Sequence, residues 1–213
     1  IMRVGMFLLP EGAEFWMPVL IGLGTVNVLY GAVSALGQSD LKYVVGYSSI
    51  SHMGYVLMGL ATLHPLGVGG AVLQMFSHGI MTALFFAVVG IIYERTHTRD
   101  IGVLEGLSKR MGVTAAFFTV AGLTSLGLPG LSGFVAELLV FIGLFHTNIV
   151  LGVLAVIGAA ITAVYILRLI AKVFFGPLGE QWRGQQDASR LEIFSTAVLV
   201  AFVLLVGLFP FPF

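Results

Sequence analysis

Apolar residues fill long stretches of this chain, and short polar segments separate them. Each stretch exceeds the roughly 17 residues that a helix needs to cross the hydrocarbon core of a membrane. A lipid-exposed segment must satisfy every backbone N–H and C=O within itself, and a helix does so. The pattern therefore predicts an all-α polytopic membrane protein. Six spans are predicted, at residues 17–36, 43–63, 66–93, 113–145, 150–175 and 191–208.

The fourth span is too long for one plain crossing and contains the segment GLPGLSG at residues 127–133. Pro129 removes a backbone donor there, and the flanking glycines loosen the backbone. Irregular backbone at membrane depth is tolerated where protein buries it or where it lines a cavity. We therefore expect a broken helix near residues 127–133.

The first residues differ from the six spans. IMRVGMFLLP offers only nine residues before Pro10, where a crossing helix needs about 20. We expect residues 1–16 to be a loop and the tail of a helix that begins upstream. Residues 17–210 are expected to form a single transmembrane helical domain.

Composition agrees with membrane insertion. The 213 residues are 58% hydrophobic and 9% charged, whereas about a quarter of the residues of a soluble protein are charged. Ten basic residues balance ten acidic ones, so net charge gives no indication of a nucleic-acid partner. The chain has no cysteine, which excludes disulfides, thiolate catalysis and cysteine-ligated clusters within it.

Placement of the basic residues predicts orientation. One side of the predicted bundle, called the positive side below, has nearly all of those found at span ends, and the opposite side has only Arg3. Cytoplasmic loops carry such an excess, so loops 37–42, 94–112 and 176–190 are expected to be cytoplasmic. The basic residues of the positive side are Lys42, Arg95, Arg99, Lys109, Arg110, Lys172, Arg183 and Arg190.

One carboxylate is expected at membrane depth. Glu137 follows the predicted helix break, and no other charged residue lies between Arg110 and Arg168. A charge in hydrocarbon costs on the order of 3 kcal/mol on insertion scales, so Glu137 must face protein or water. Intramembrane carboxylates commonly mark ion pathways, which makes Glu137 the leading functional candidate.

Two histidines lie near the middle of other spans. His78 shares a helical face with Gln74 and Thr82, and His52 shares one with Ser48 and Tyr55. Histidine titrates near physiological pH, so such faces can pass protons. A structural hydrogen-bonding role remains open for each histidine taken alone. A metal site is a weaker alternative, because neither histidine has a second ligand three or four residues away.

A third polar face is predicted on the fifth span, where Thr162, Tyr165, Arg168 and Lys172 line up toward the positive side. These residues also have simpler explanations. A threonine in a membrane helix often bonds its own backbone, and Lys172 can extend its ammonium group to the interface.

Three motifs resemble the antiporter-like membrane subunits of respiratory complex I. They are GQSDLKYVVGYSSISHMGYVLMGLA (37–61), LQMFSHGIMTALFFAVVGIIYERTHTRDI (73–101) and LTSLGLPGLSGFVAELLVFIG (123–143). The segment YERTHTRDI favours the subunit M type, the counterpart of mitochondrial subunit 4. The resemblance implies a fold of two inverted repeats, of which this chain would be the second repeat plus the terminal helix.

The resemblance also implies roles for particular residues. Glu137 matches the glutamate of the second broken helix, which ends the central proton path. His52 and His78 match the histidines that bridge toward it. In the mechanism we expect, a lysine outside this chain changes the proton affinity of His78, and His78 then changes that of Glu137. Lys42, in the SDLK turn, matches a basic residue at the cytoplasmic end of its helix. Gln74, Thr82, Tyr165, Arg168 and Lys172 are expected to support the relay.

The function implied is proton translocation by a non-redox subunit of an NADH:quinone oxidoreductase, in a bacterial inner membrane. No cofactor is expected in this chain, whereas NADH, flavin, iron–sulfur clusters and quinone are expected in partner subunits. Partners would be other membrane subunits, including sister antiporter-like subunits, with lipid around them and no nucleic acid. Alternatives are a cation/proton antiporter subunit, the equivalent subunit of a membrane-bound hydrogenase, and a pure scaffold.

Overall fold

The computed structural model describes residues 1–210, and in that range the regular elements are helices. A π-helical turn at Met2–Met6 precedes the helices, and short 3-10 turns lie at Leu107–Lys109 and Glu180–Trp182. The α-helices are α1 (Pro10–Leu36), α2 (Leu41–Ala61), α3 (Pro65–Thr96), α4 (Gly112–Ser125), α5 (Ser132–Thr147), α6 (Ile149–Phe174) and α7 (Arg190–Leu208).

Four of these helices, α1, α3, α6 and α7, are individually long and apolar enough to cross a membrane. Helix α2 has 21 residues, but serines and a histidine on its buried face lower its hydropathy. Helices α4 and α5, with 14 and 16 residues, are each too short to cross alone and form the two halves of one broken helix. The predicted all-α membrane fold with one broken helix is confirmed.

Two boundaries differ from the prediction by three residues or more. Helix α1 begins at Pro10 rather than at Met17, because proline suits the first turn of a helix, where its missing N–H has no intrahelical partner. Helix α3 continues to Thr96 and ends at His97, which adopts φ of 52°. The break itself covers residues 126–131, close to the predicted 127–133.

The loops on the positive side are tied together by hydrogen bonds. Asp40 caps α2 by accepting from the backbone N–H of Lys42 at 2.7 Å, and its second oxygen lies 3.3 Å from Arg99 Nε. An isolated antiparallel bridge pairs Asp40 with Asp100. These contacts hold the loop before α2 against the loop after α3.

Another positive-side loop caps the first half of the broken helix. Asp187 accepts hydrogen bonds from the backbone N–H groups of Val113 and Thr114, at 2.7 and 3.1 Å, and from the Thr114 hydroxyl. Burial alone would raise the pKa of Asp187, but these hydrogen bonds, with one from the Ala188 N–H, hold it below its usual range. The α6–α7 loop therefore fixes where α4 begins.

Helix α7 joins the bundle at both of its ends. At the positive side, Arg95 of α3 donates to Glu192 at 2.6 Å, and Glu192 also completes a capping box with Ser189. At the other end, the carbonyl of Gly130 in the break lies so close to Gly207 that no side chain fits there. The outer face of α7 remains exposed and apolar.

Two apolar clusters leave a polar layer between them. The larger cluster lies toward the positive side and includes Leu41, Phe85, Phe118 and Phe174. The smaller one lies toward the opposite side and is built from Val28, Tyr55, Met58, Val140, Leu144 and Ala155. The intervening layer contains the buried polar side chains of α2, α3, α5 and α6, so the fold places these side chains near the middle of the bundle.

Candidate functional site

The helix break positions the buried carboxylate. Helix α4 ends at Ser125, α5 begins at Ser132, and Glu137 lies on the second turn of α5 with 5% of its surface exposed. Gly127, in the break, has φ of 72°, and a Cβ there would come within 3.0 Å of Glu137 Oε2. Glycine therefore provides the turn and also leaves space for the carboxylate.

His52 joins the carboxylate to a hydroxyl. Its Nδ1 lies 3.3 Å from Glu137 Oε1, and its Nε2 lies 2.9 Å from Ser125 Oγ. The ring is 1% exposed and sits midway along α2. Because imidazole can accept a proton at one nitrogen and release one from the other, His52 can pass a proton between Ser125 and Glu137.

Gln74 contacts the same ring nitrogen as Glu137. Its Nε2 lies 3.2 Å from His52 Nδ1, while its buried Oε1 has no hydrogen-bond partner among residues 1–210. If Nδ1 is bare, it accepts from the Gln74 amide. If Nδ1 carries a proton, it donates to Glu137, and a half-turn of the amide would point Gln74 Oε1 toward it. Gln74 can therefore accommodate both protonation states of His52.

His78, on α3, lies next to His52. It is half-buried, its Nε2 is 3.2 Å from Thr82 Oγ1, and its ring centroid is 5.7 Å from that of His52. The histidine beside the carboxylate is His52, so an action of His78 on Glu137, which stays a prediction, would pass through His52. Ser77 faces α5, where its hydroxyl is 2.7 Å from that of Ser132. Position 78 is rotated about 100° from it, toward α2.

The predicted polar face of α6 divides into two parts. The Tyr165 hydroxyl donates to Ser48 Oγ at 2.8 Å and also interacts with the side chains of Thr162 and Ser125. Thr162 itself donates to the carbonyl of Gly158, which is the simpler role considered for it. Arg168 and Lys172 lie further along α6, exposed toward the positive side.

Lys42 is separate from the buried cluster. It is exposed at the start of α2 and lines a shallow groove with Tyr93 and Arg99, whose guanidinium lies 5.2 Å from the Tyr93 ring centroid. The structure thus brings together His52, Gln74, Glu137 and, more loosely, His78 and Thr82. It does not bring Lys42 to them.

Sequence reasoning missed Ser125 as a member of the site. A lone serine in a membrane helix usually bonds its own backbone, and nothing in its spacing marks it. The available signal was its position as the last residue before the break, where helix geometry ends and a hydroxyl can turn toward a neighbouring helix. Within residues 1–210, no group of three or more His, Asp or Glu side chains could hold a metal ion.

Membrane-crossing helices around a buried carboxylate–imidazole pair, at the break of one helix, define a polytopic membrane protein with an intramembrane ionisable site. Its family follows from the sequence. The chain belongs to the NADH:quinone oxidoreductase/Mrp antiporter transmembrane family, whose model matches residues 1–162. The resemblance drawn from the three motifs is confirmed.

Similar proteins include NAD(P)H-quinone oxidoreductase chains from cyanobacteria. Chain 4 1 of Synechococcus elongatus is 44% identical over 99% of this chain, and chain 4 of Gloeobacter violaceus is 40% identical over 98%. In both cases the match covers 41% of the relative. The chain therefore spans about two fifths of the length of the curated relatives it matches.

Solved structures share the fold. A chain of respiratory complex I from Thermus thermophilus with bound NADH matches with a TM-score of 0.91 and 32% identity, over 98% of this chain and 44% of that one. A chain of the membrane-bound sulfane sulfur reductase, an archaeal respiratory complex, matches with a TM-score of 0.86 and 30% identity, over 91% and 32%. The Mrp complex from Dietzia, at 22% identity and a TM-score of 0.83 over 93% and 45%, shows the fold alone.

Proposed function

We propose that this chain carries protons across the membrane as part of a proton-pumping NADH:quinone oxidoreductase. The observation that supports this function best is the buried contact of 3.3 Å between His52 Nδ1 and Glu137 Oε1 at the helix break. A carboxylate and an imidazole at membrane depth are expensive to bury, and each can hold and release a proton. They are the groups that a proton relay requires.

The proposed relay runs from His78 through His52 to Glu137. A change of charge outside this chain alters the proton affinity of His78, which in turn alters that of His52. His52 passes a proton from Nδ1 to Glu137, from which the proton leaves to the opposite side. Coupled groups such as these titrate together, so the proton belongs to the cluster. Moving one proton against about 150 mV costs roughly 3.5 kcal/mol, which partner subunits must supply.

The proposal assigns electron transfer to other subunits. NADH, flavin, iron–sulfur clusters and quinone would bind there, and this chain would act as a membrane subunit beside sister antiporter-like subunits. The neighbours in respiratory complexes, including the sulfane sulfur reductase, support such membrane partners. A bacterial plasma membrane is proposed as the location, with the thylakoid membrane as the counterpart suggested by the cyanobacterial relatives. The loops of the positive side would then face the cytoplasm.

The proposal is tested with Glu137→Gln in the full-length subunit within the assembled complex. Glutamine keeps the shape and hydrogen bonds of Glu137 but cannot release a proton, so proton pumping should be almost abolished while the complex still assembles. Pumping is measured by fluorescence quenching in inverted vesicles, alongside the rate of quinone reduction. The matched control is Glu180→Gln, because the Glu180 side chain is 88% exposed on a loop. Wild-type pumping by Glu137→Gln would refute the relay.

A second candidate function is cation/proton exchange in an antiporter subunit, or the same role in a membrane-bound hydrogenase. The family description, which includes Mrp antiporters, favours considering it. A bound cation would need several oxygen ligands around Glu137, whereas the polar partner that the described residues 1–210 provide at 3.3 Å is the His52 imidazole. Replacing sodium by choline in the pumping assay separates the two functions, because a proton relay should not respond.

A further inference from the structure

A cavity on the positive side of the bundle leads toward the buried cluster. Its volume is about 380 Å³, it is partly open to the surface, and its walls come from the end of α1, the loops at 37–39 and 100–102, and the last turns of α6. The charged side chains in its lining are Asp100, Arg168 and Lys172. A space of this size and polarity can hold several waters.

Tyr165 lies at the inner end of this cavity. Among the α6 residues that line it, Tyr165 is the farthest from the positive-side end of the helix. The ring is 3% exposed, and its hydroxyl donates to Ser48 and interacts with Ser125. Ser125 is in turn 2.9 Å from His52 Nε2. A series of hydroxyl, hydroxyl and imidazole groups therefore joins the cavity to Glu137.

We propose that the cavity and Tyr165 form a second proton inlet, which supplies His52 from the positive side without passing through His78. The inlet rests on the proposed proton-translocating function and adds a source of protons to it. His52 suits two inlets because its ring nitrogens face different partners, Ser125 at Nε2 and Glu137 with Gln74 at Nδ1.

The proton transfers balance along this path. The Tyr165 hydroxyl first rotates from Ser48 toward Ser125, and a water in the cavity then gives a proton to the Tyr165 oxygen as the phenol gives its own proton to Ser125. The Ser125 hydroxyl likewise gives its proton to His52 Nε2, and His52 releases the proton on Nδ1 to Glu137. Both hydroxyls end with one proton each and must rotate before the next transfer. No group is oxidised or reduced, so the path needs no cofactor.

The charges in the cavity affect how a proton crosses it. Arg168 and Lys172 contribute two positive charges, and Asp100 contributes one negative charge that is already engaged with the Gly102 N–H at 2.7 Å. Like charges disfavour an excess proton at rest among these residues. The cavity is therefore not suited to storing protons.

The first test compares two buried tyrosines. Tyr165→Phe removes the relay hydroxyl, and Tyr55→Phe is the matched control, because the hydrogen bond that Tyr55 donates within residues 1–210 goes to the carbonyl of Ala155 at 3.1 Å. In the full-length subunit within the complex, Tyr165→Phe should lower the pumping rate about tenfold, less than the loss of a directly acting group, since a water can partly replace the hydroxyl. Tyr55→Phe should lower it less than about twofold, the effect of one ordinary hydrogen bond. Equal rates in the two variants would overturn the inlet.

The second test blocks the cavity after assembly, so that folding is not at issue. The chain has no cysteine, and Gln38→Cys places a single thiol in the cavity wall. A bulky, membrane-impermeant methanethiosulfonate added from the positive side should reduce pumping by labelled Gln38→Cys relative to the same unlabelled variant. The same treatment of Glu180→Cys, in an exposed loop on that side, should have no effect. Unchanged pumping after complete labelling of Gln38→Cys would contradict the inlet.

The outcomes separate the inlet from the function on which it rests. If Glu137→Gln stops pumping while Tyr165→Phe and cavity labelling leave it intact, the inlet is wrong and the relay stands. If Glu137→Gln pumps normally, the relay itself fails. If all three treatments lower pumping and Tyr55→Phe does not, both are supported.

Discussion

At the scale of single residues, His52 is the point at which the buried polar groups meet. Its two ring nitrogens contact Ser125, Gln74 and Glu137, whereas His78 contacts Thr82 and approaches only the ring of His52. The two histidines are therefore not equivalent, although both occupy the middle of an apolar helix in the sequence.

This difference predicts that loss of His52 lowers proton pumping more than loss of His78. His52→Ala should lower proton pumping about 100-fold, the loss expected for a directly acting proton carrier. His78→Ala should lower it about tenfold, because a water can occupy the half-buried space of its ring. Both variants are measured in the assembled complex by initial pumping rate at equal quinone-reduction activity. A larger loss for His78→Ala would place His78, rather than His52, next to the terminal carboxylate.

The sequence identifies candidate site residues where their side chains are costly to bury in a membrane. Glu137, His52 and Gln74 were found from sequence because an ionisable or amide group at membrane depth needs a reason. Their distances could not be predicted, since contact between α2 and α5 depends on how helices 85 residues apart in sequence pack. Ser125 gave no such signal, because a serine in a membrane helix can bond its own backbone and so costs little free energy to bury.

At the scale of elements, the geometry of the broken helix determines where the Glu137 carboxylate lies. Gly127 and Gly130 both adopt positive φ, 72° and 92°. Their surroundings differ, because a Cβ at 127 meets Glu137 Oε2 at 3.0 Å, whereas one at 130 meets only Leu208 at 3.9 Å.

These two glycines give a matched pair of variants. Gly127→Ala and Gly130→Ala should each strain the backbone by about 1 kcal/mol, and so lower thermal stability similarly. Only Gly127→Ala should also reduce pumping, about tenfold, because its methyl group displaces the carboxylate from His52 and small misplacements are costly in proton transfer. Thermal unfolding and pumping are measured on the same preparations. Equal pumping losses would show that the strain, not the carboxylate position, matters.

The Asp187 cap predicts that the local stability of the start of α4 depends on pH. The pKa of Asp187 is lower in the folded protein than in the unfolded chain, so its stabilisation is present above its ordinary pKa of about 3.9 and is lost as pH falls through the lower, folded value. Protection of the Val113 and Thr114 amides from hydrogen exchange should fall in that acidic range. Asp187→Ala should remove about 1 kcal/mol of local stability at neutral pH.

The control for the cap is Glu180→Ala, because Glu180 forms only an exposed ion pair with Arg183. It should leave exchange at residues 113 and 114 unchanged. If Asp187→Ala also leaves them protected at neutral pH, the α6–α7 loop does not fix the start of α4.

The helices and most of their bounds could be predicted, because the length of an apolar run indicates whether a helix can cross the membrane. The start of α1 could not, since Pro10 was taken as a stop although proline also suits the first turn of a helix. The break was predicted from Pro129 and its glycines, but the direction in which its two halves point depends on packing against α2, α3 and α7.

At the scale of the whole molecule, the distribution of basic residues predicts the orientation of the chain in the membrane. If the positive side faces the cytoplasm, Glu180→Cys should react with an impermeant maleimide only in inverted vesicles. Glu14→Cys, exposed at the opposite end of α1, should react only in right-side-out cells. The two variants control for each other, and reversed labelling of both would overturn the orientation and place the cavity on the other side of the membrane.

The close approach of Gly207 to the carbonyl of Gly130 gives helix α7 a mechanical role. Helix α7 looks peripheral, with its outer face exposed and apolar. Yet its inner face presses on the turn that separates α4 from α5, only a few residues from Glu137. A sideways displacement of α7 by 1 Å, which is usual for packed helices, would shift the turn with it. A displacement of α7 would thus reach the buried Glu137 through the turn between α4 and α5.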